Sequence, residues 1–245
     1  MDIFENPYQD MVHIDNITLV LVSPLGRAQQ TYQQLHEGGM SKELREGAQP
    51  SCFTKTQART SSLLSEWDYG DYEGVATKEI LKSRPNWSLF EDGAPNGESV
   101  EQVSTRADAI IELIHNYQRG QDSQGSSTNV LRMPFTELEL RTDAQLAAEI
   151  AKSEDSAYKD GIVTESKNVV IVPEPHRRDV LIVAHGHFLR VFAARWLKMN
   201  GTEGKNFVLD TASVSVLGYE HTLEERVVKV WNQGNHLWKD NIRIG

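Results

Sequence analysis

Two segments of the chain share one grammar. Thr18-Leu19-Val20-Leu21-Val22 breaks at Ser23-Pro24 into a helical pattern, and Val180-Leu181-Ile182-Val183-Ala184 breaks at His185-Gly186-His187 into another. Short uninterrupted apolar runs suit strands buried on both faces, as in a parallel sheet covered by helices. After the first run, Leu25, Ala28, Tyr32 and Leu35 recur at helical spacing, with Ser23 placed as N-cap and Pro24 as first helical residue. A longer stripe, Val100, Val103, Ala107, Ile110, Ile111 and Ile114, predicts a helix from about Ser99 to Tyr117. The pattern also predicts a helix beginning after His187, with Phe188, Leu189, Phe192 and Trp196 inward. Ser213 to Tyr219 and Arg226 to Trp231 read as two further strands.

The pattern fails between Gln121 and Arg178. Gln121 to Asn129 (QDSQGSSTN) is rich in Ser and Gly and reads as a loop. Asp143 to Lys152 suits a short helix and Asn168 to Val172 a short strand. The stretch is too long for a connection inside a compact domain. The reading is a single domain over residues 1–245 with a surface insertion at about 121–178.

Composition narrows the possible partners. Of 245 residues, 25 are Lys or Arg and 35 are Asp or Glu, for a net charge of -10. Such a chain repels phosphate polyanions, so neither nucleic acid nor an anionic membrane is expected as partner. The start, MDIFENPYQD, is acidic and polar, and no apolar run nears the ~20 residues of a membrane helix. A soluble cytoplasmic protein is the expectation. The single Cys52 excludes an internal disulfide and a multi-cysteine metal site.

In open α/β sheets, ligands bind beyond the carboxyl ends of the strands. Both strand-to-helix junctions point there, and free N–H groups at helix starts favour an anion, phosphate above all. Arg27 falls in the first turn of one such helix, where its planar fork can grip two phosphate oxygens. His185 ends the other strand, beside Gly186, which allows close approach to the backbone. The segment Leu64 to Gly74 (LSEWDYGDYEG) sets Glu66 and Glu73 among aromatics and glycines. Burial of a carboxyl against aromatic rings would keep a proton available for a leaving group. Taken singly, each has a plainer reading: Arg27 as a solvated helix charge, His185 as a structural residue, and Glu66 and Glu73 as loop charges.

The order of these pieces resembles the histidine phosphatase superfamily, which includes the cofactor-dependent phosphoglycerate mutases. Ser23-Pro24-Leu25-Gly26-Arg27-Ala28-Gln29-Gln30-Thr31 looks like its S-P-x-x-R-A-x-Q-T motif. Leu64 to Gly74 is similar to its acid-bearing loop, Asn96-Gly97-Glu98-Ser99 to its G-E-S turn, and Ala184-His185-Gly186 to its second histidine motif. Within the family, the acid loop and the stretch Ala184 to Arg190 look most like the fungal sedoheptulose-1,7-bisphosphatase type. The resemblance implies an α/β, three-layer phosphoglycerate mutase-like fold, with a mostly parallel central sheet flanked by helices.

It also implies two-step transfer of a phosphoryl group through a phosphohistidine. Arg27 and Ser23 would bind the phosphate, and Gly186 would offer its backbone N–H. Glu66 would protonate the leaving group, and His185 would hold the phosphoryl group. His187 would meet the sugar end of a small phosphorylated substrate, and Tyr69 would also bind substrate. No metal or organic cofactor is implied. The expected activity is a phosphomonoesterase acting on a sugar (bis)phosphate such as sedoheptulose 1,7-bisphosphate. A phosphoglycerate mutase or fructose-2,6-bisphosphatase-like activity is the alternative.

One departure weighs on that expectation. The family's first strand ends in Arg-His-Gly, whose histidine is the nucleophile, and Arg-His-Gly occurs nowhere in this chain. The layout places it several tens of residues before Ser23, which only 22 residues precede. Loss of that central strand predicts exposed edges on two buried strands. His13 precedes a strand and so falls at the wrong end of the sheet. His176 follows Val169 to Val172, but the stretch from there to Val180 is too short for a parallel crossover. In an antiparallel hairpin, His176 would lie ~15 Å or more from His185 at ~3.3 Å per residue. Neither substitutes. The expectation is a truncated reading of a longer gene, inactive as written. The alternatives are a phospholigand-binding pseudophosphatase, or a nucleophile supplied from elsewhere.

Overall fold

A computed structural model describes residues 16–46, 52–119 and 178–234. Its first strand, β1 (Ile17–Val22), leads into helix α1 (Gly26–Glu46), a single turn α2 (Cys52–Lys55) and a short strand β2 (Ala58–Thr60). Helices α3 (Thr77–Ser83), α4 (Leu89–Asp92) and α5 (Val100–Gln118) follow, then β3 (Asp179–Val183) and α6 (Gly186–Trp196), and finally strands β4 (Val214–Tyr219) and β5 (Arg226–Gln233). The loop, helix and strand expected between 121 and 172, together with His13 and His176, lie outside the described residues.

The main sheet has the order β2-β1-β3, and both pairings are parallel. β1 is central, and its alternating side chains feed two cores. Leu19 and Leu21 join Val103, Ile110, Phe188 and Phe192 of α5 and α6 on one face. Val20 and Val22 join Ala28 of α1 and Phe53 of α2 on the other. A register irregularity between Ile17 and Leu19 places Ile17 with the second set. Helices on both faces of a parallel sheet make three layers, and they explain why the run is apolar without interruption. β3 is less enclosed: only Val183 is buried, because among the described residues β3 has a strand on one side only.

The pairing of β1 with β3 corrects an expectation. Their facing edges were expected to lie open, yet Val20 aligns with Leu181, Leu21 with Ile182 and Val22 with Val183. Unpaired backbone groups in a buried strand are costly, and direct pairing satisfies them.

Two helix starts also differ from the pattern. α1 begins at Gly26, not Pro24, so Ser23 is not its N-cap. α6 begins at Gly186, with His185 as N-cap, so His187 lies in its first turn rather than before it. The expected stripe of α5 is buried throughout, and Ser99 closes a capping box with Gln102. β4 and β5 form a separate antiparallel pair.

Candidate functional site

The carboxyl ends of β1 and β3 are tied together before the site begins. The Ser23 N–H donates to the Val183 carbonyl at 2.9 Å, and the Ser61 N–H to the Val22 carbonyl at 3.1 Å. That brings Ser23 and His185 into contact, with His185 Nε2 2.6 Å from Ser23 Oγ. Arg27 donates its Nε–H to His185 Nδ1 at 3.0 Å. A guanidinium only donates, so Nδ1 carries the lone pair and Nε2–H is the donor to Ser23. Ser23 Oγ also accepts the Leu25 N–H at 3.2 Å, which explains why it does not cap α1.

Burial holds the His185 pKa below its ordinary value, and the charges of Arg27 and Arg106 push the same way while that of Glu66 opposes them. Arg27 itself is exposed, and its terminal nitrogens have no partner among the described residues. Beside it, Gly186 opens α6 at the surface, and a Cβ there would meet nothing within 4 Å. Arginine nitrogens and a helix N-terminal N–H around open space form a cradle for an anion.

Glu66 sits at the same helix start. Its Oε1 accepts the Phe188 N–H at 2.9 Å and the Trp67 N–H at 2.9 Å, and its Oε2 accepts the His187 N–H at 3.3 Å. The sequence pointed to aromatic burial, whereas the structure surrounds the carboxylate with amide donors at the positive end of α6. Glu73, the other candidate, is exposed.

The loop that carries Glu66 is stitched to the turn at residues 94–99. Asp71 N–H donates to the Pro95 carbonyl and Glu98 N–H to the Asp68 carbonyl, both at 2.9 Å. The Trp67 indole N–H donates to the Glu98 carbonyl at 2.9 Å. Gly70 has φ of +48°, and a Cβ there would lie 2.2 Å from the Pro95 oxygen, so only glycine fits. Asn96 Nδ2 donates to Asp71 Oδ2 at 3.0 Å. The polar turn is thus the rigid backing of the acid loop.

Tyr69 and His187 form the outer wall. Tyr69 Oη lies 2.7 Å from His187 Nδ1, with the rings edge to face. Burial, reinforced by the charge of Glu66, raises the Tyr69 pKa. The phenol therefore keeps its proton, and Glu66 also accepts from it. Burial lowers the His187 pKa, with Glu66 opposing and Arg190 assisting. Arg190 stacks over Phe90 at 4.5 Å.

All seven residues expected at the site, Ser23, Arg27, Glu66, Tyr69, His185, Gly186 and His187, meet at this end of the sheet. Sequence reasoning passed over Arg106 and the role of Glu98, which form a 2.7 Å ion pair. The signal was present, because Arg106 falls on the inward stripe between Val103 and Ile110. Among the described residues, no three His, Cys, Asp or Glu side chains are grouped to hold a metal ion. No helix among them is long and apolar enough to cross a membrane.

The family model described as "Histidine phosphatase superfamily (branch 1)" matches residues 7–124 and 169–234. The chain belongs to this superfamily. An acid phosphatase of Mycobacterium tuberculosis is 31% identical over 173 residues, 71% of this chain and 57% of that protein. The sedoheptulose 1,7-bisphosphatase of Saccharomyces cerevisiae is 34% identical over 126 residues, 48% of this chain and 43% of that protein. The chain thus spans about half the length of the curated relatives it matches. Among solved structures, the product of a Mycobacterium tuberculosis open reading frame superposes with a TM-score of 0.53 at 27% identity, covering 89% of this chain and 73% of that one. A mycobacterial glucosyl-3-phosphoglycerate phosphatase shares the fold, with a TM-score of 0.51 at 20% identity over 89% of this chain and 78% of that one. The histidine phosphatase fold expected from the motifs is the observed one.

Proposed function

We propose that this end of the sheet binds the phosphoryl group of a small sugar phosphate and is a phosphomonoesterase-type site. The observation that carries the reading is the chain Ser23–His185–Arg27 beside the open face at Gly186. In it, Arg27 holds two phosphoryl oxygens through its free nitrogens, and the Gly186 N–H meets a third. His185, its Nδ1 accepting from Arg27 and its Nε2–H donating to Ser23, holds the Arg27 side chain in place while leaving the terminal guanidinium nitrogens to the ligand. Glu66, fixed at the start of α6, is the group placed to protonate a departing oxygen wherever a nucleophile attacks phosphorus. His187 and Tyr69 line the sugar end. The 34% identity to the yeast protein supports a substrate such as sedoheptulose 1,7-bisphosphate. The net charge of -10 argues against a polyanion as partner.

Turnover through a phosphohistidine requires a ring nitrogen with a free lone pair facing phosphorus. The Nδ1 lone pair of His185 is taken by Arg27, and its Nε2 carries the proton shared with Ser23. In our reading, the chain alone therefore binds a phosphomonoester without cleaving it. Calorimetry with inorganic phosphate and vanadate tests the site. Arg27→Leu should weaken binding at least about tenfold, the worth of one charge-assisted contact. An absence of phosphate binding sinks the site. Hydrolysis of an aryl phosphate or of sedoheptulose 1,7-bisphosphate by the wild-type chain, lost in Glu66→Gln, overturns the non-cleaving part.

A further inference from the structure

Arg106 lies inside the apolar stripe of α5 and is only 5% exposed. A charge so deeply buried needs its donors satisfied. Its Nε and Nη2 each donate to a Glu98 carboxylate oxygen at 2.7 Å. Its Nη1 donates to the carbonyls of Leu63 at 2.7 Å and Ser65 at 3.0 Å. The guanidinium lies 5.1 Å from the centre of the Phe188 ring.

Three of these partners adjoin something that fixes Glu66. Ser65 immediately precedes it. Glu98 holds the next two residues three times over: its carbonyl accepts from the Trp67 indole, its Oε2 from the Asp68 N–H at 3.0 Å, and its own N–H reaches the Asp68 carbonyl. Phe188 donates the 2.9 Å amide bond to Glu66 Oε1. Arg106 itself makes no hydrogen bond to Glu66.

We infer that Arg106 and Glu98 act together as a buried clamp that positions Glu66 against the start of α6. They are positioning residues that touch no substrate. The clamp joins three pieces distant in sequence: the acid loop, the polar turn and the first turn of α6. It fixes which Glu66 oxygen is occupied by the Phe188 amide and which faces His187 and the open side. A buried ion pair adds little net stability over apolar replacements, so holding one geometry is the better account of its presence. The inference rests on the proposed role of Glu66 at the phosphoryl site.

The test reads the clamp by nuclear magnetic resonance on the full chain. The variants are Glu98→Gln, Arg106→Lys and the double variant Glu98→Leu/Arg106→Met. The double variant leaves no unpaired buried charge if a single change prevents folding. Glu66→Ala provides the reference with the Phe188 bond absent. In the double variant, the Phe188 amide resonance should move toward its Glu66→Ala position, and its hydrogen exchange should rise at least about tenfold. Exchange at Leu197, at the far end of α6, should stay unchanged. Arg106→Lys should recover part of the Phe188 shift. Phosphate affinity should stay within about twofold, because Ser23, Arg27 and Gly186 are intact. An unaltered Phe188 amide in a folded double variant overturns the clamp, as does exchange that rises equally along α6. A wild-type chain that fails to bind phosphate sinks the functional reading instead, and the Phe188 amide still judges the clamp.

Discussion

Gly97 has no room for a side chain. A Cβ there would stand 2.3 Å from the Asp68 carbonyl oxygen and 2.7 Å from the Gly70 amide nitrogen. Real Cβ atoms essentially never approach other atoms closer than 3.0 Å, so the Asp68 carbonyl must retreat by about 0.7 Å. That carbonyl accepts the Glu98 N–H at 2.9 Å, and a retreat of this size takes the bond beyond hydrogen-bonding distance. The indole bond from Trp67 and the amide bond from Asp68 end on the same Glu98 and strain with it. Each bond broken with a partner left unsatisfied costs about 1–3 kcal/mol, so Gly97→Ala should destabilise the chain by about 2–4 kcal/mol. At ~2–4 °C per kcal/mol for a chain of this size, Tm should fall by roughly 5–15 °C. Urea unfolding followed by tryptophan fluorescence measures this directly, because the 1% exposed Trp67 sits in the affected loop. The midpoint should drop with little change in slope. A loss below about 0.5 kcal/mol, the range of an ordinary surface change, would refute the account of the glycine contact.

Two further outcomes follow from the same structure. Gly38 lies in α1 with nothing within 4 Å of a Cβ, so Gly38→Ala should stabilise the chain by about 0.5–1 kcal/mol, read as a raised urea midpoint. His185 and His187 both have pKa values lowered by burial in the folded chain, whereas the unfolded chain titrates near ~6.5. Below that pH the unfolded state takes up more protons. Their contribution to stability is therefore complete above ~6.5 and lost as pH falls toward the folded values. Urea midpoints between pH 7.5 and 5.5 should fall less steeply in His187→Gln than in wild type, and equal slopes would contradict this.

The sequence disclosed what repeats and concealed what is local. The run 18–22 was legible as a buried strand because sheet burial on two faces leaves an unbroken apolar signature; 180–184 carries the same signature and is a strand, though only Val183 in it is buried. The α5 stripe and its Ser99 cap were legible for the same periodic reason. β2 was not, because it is three residues long and only partly buried, so it leaves no pattern. The starts of α1 and α6 were misplaced because Ser23 and His185 bond to each other across the sheet, and this contact overrides local capping preference. The open edges were expected because the family's layout puts a further strand between these two; that they pair directly leaves no mark in side-chain identity. At the site, residue identities were legible through motif order, but the amide-lined setting of Glu66 was not, because it depends on where α6 begins.

The contact between Ser23 and His185 joins residues 162 positions apart. At ~5–20 residues per second of synthesis, the ribosome releases the first of them roughly 8–32 s before the second. Over that interval β1 is an apolar strand without its β3 partner, the kind of segment that recruits chaperones or pairs with another nascent chain. Over that time the β2-β1-β3 sheet can hold only β1 and β2, and the anion cradle lacks His185 and Gly186. A pause or break in translation before Val183 yields no weakened site, only a strand with one open edge for quality control to find.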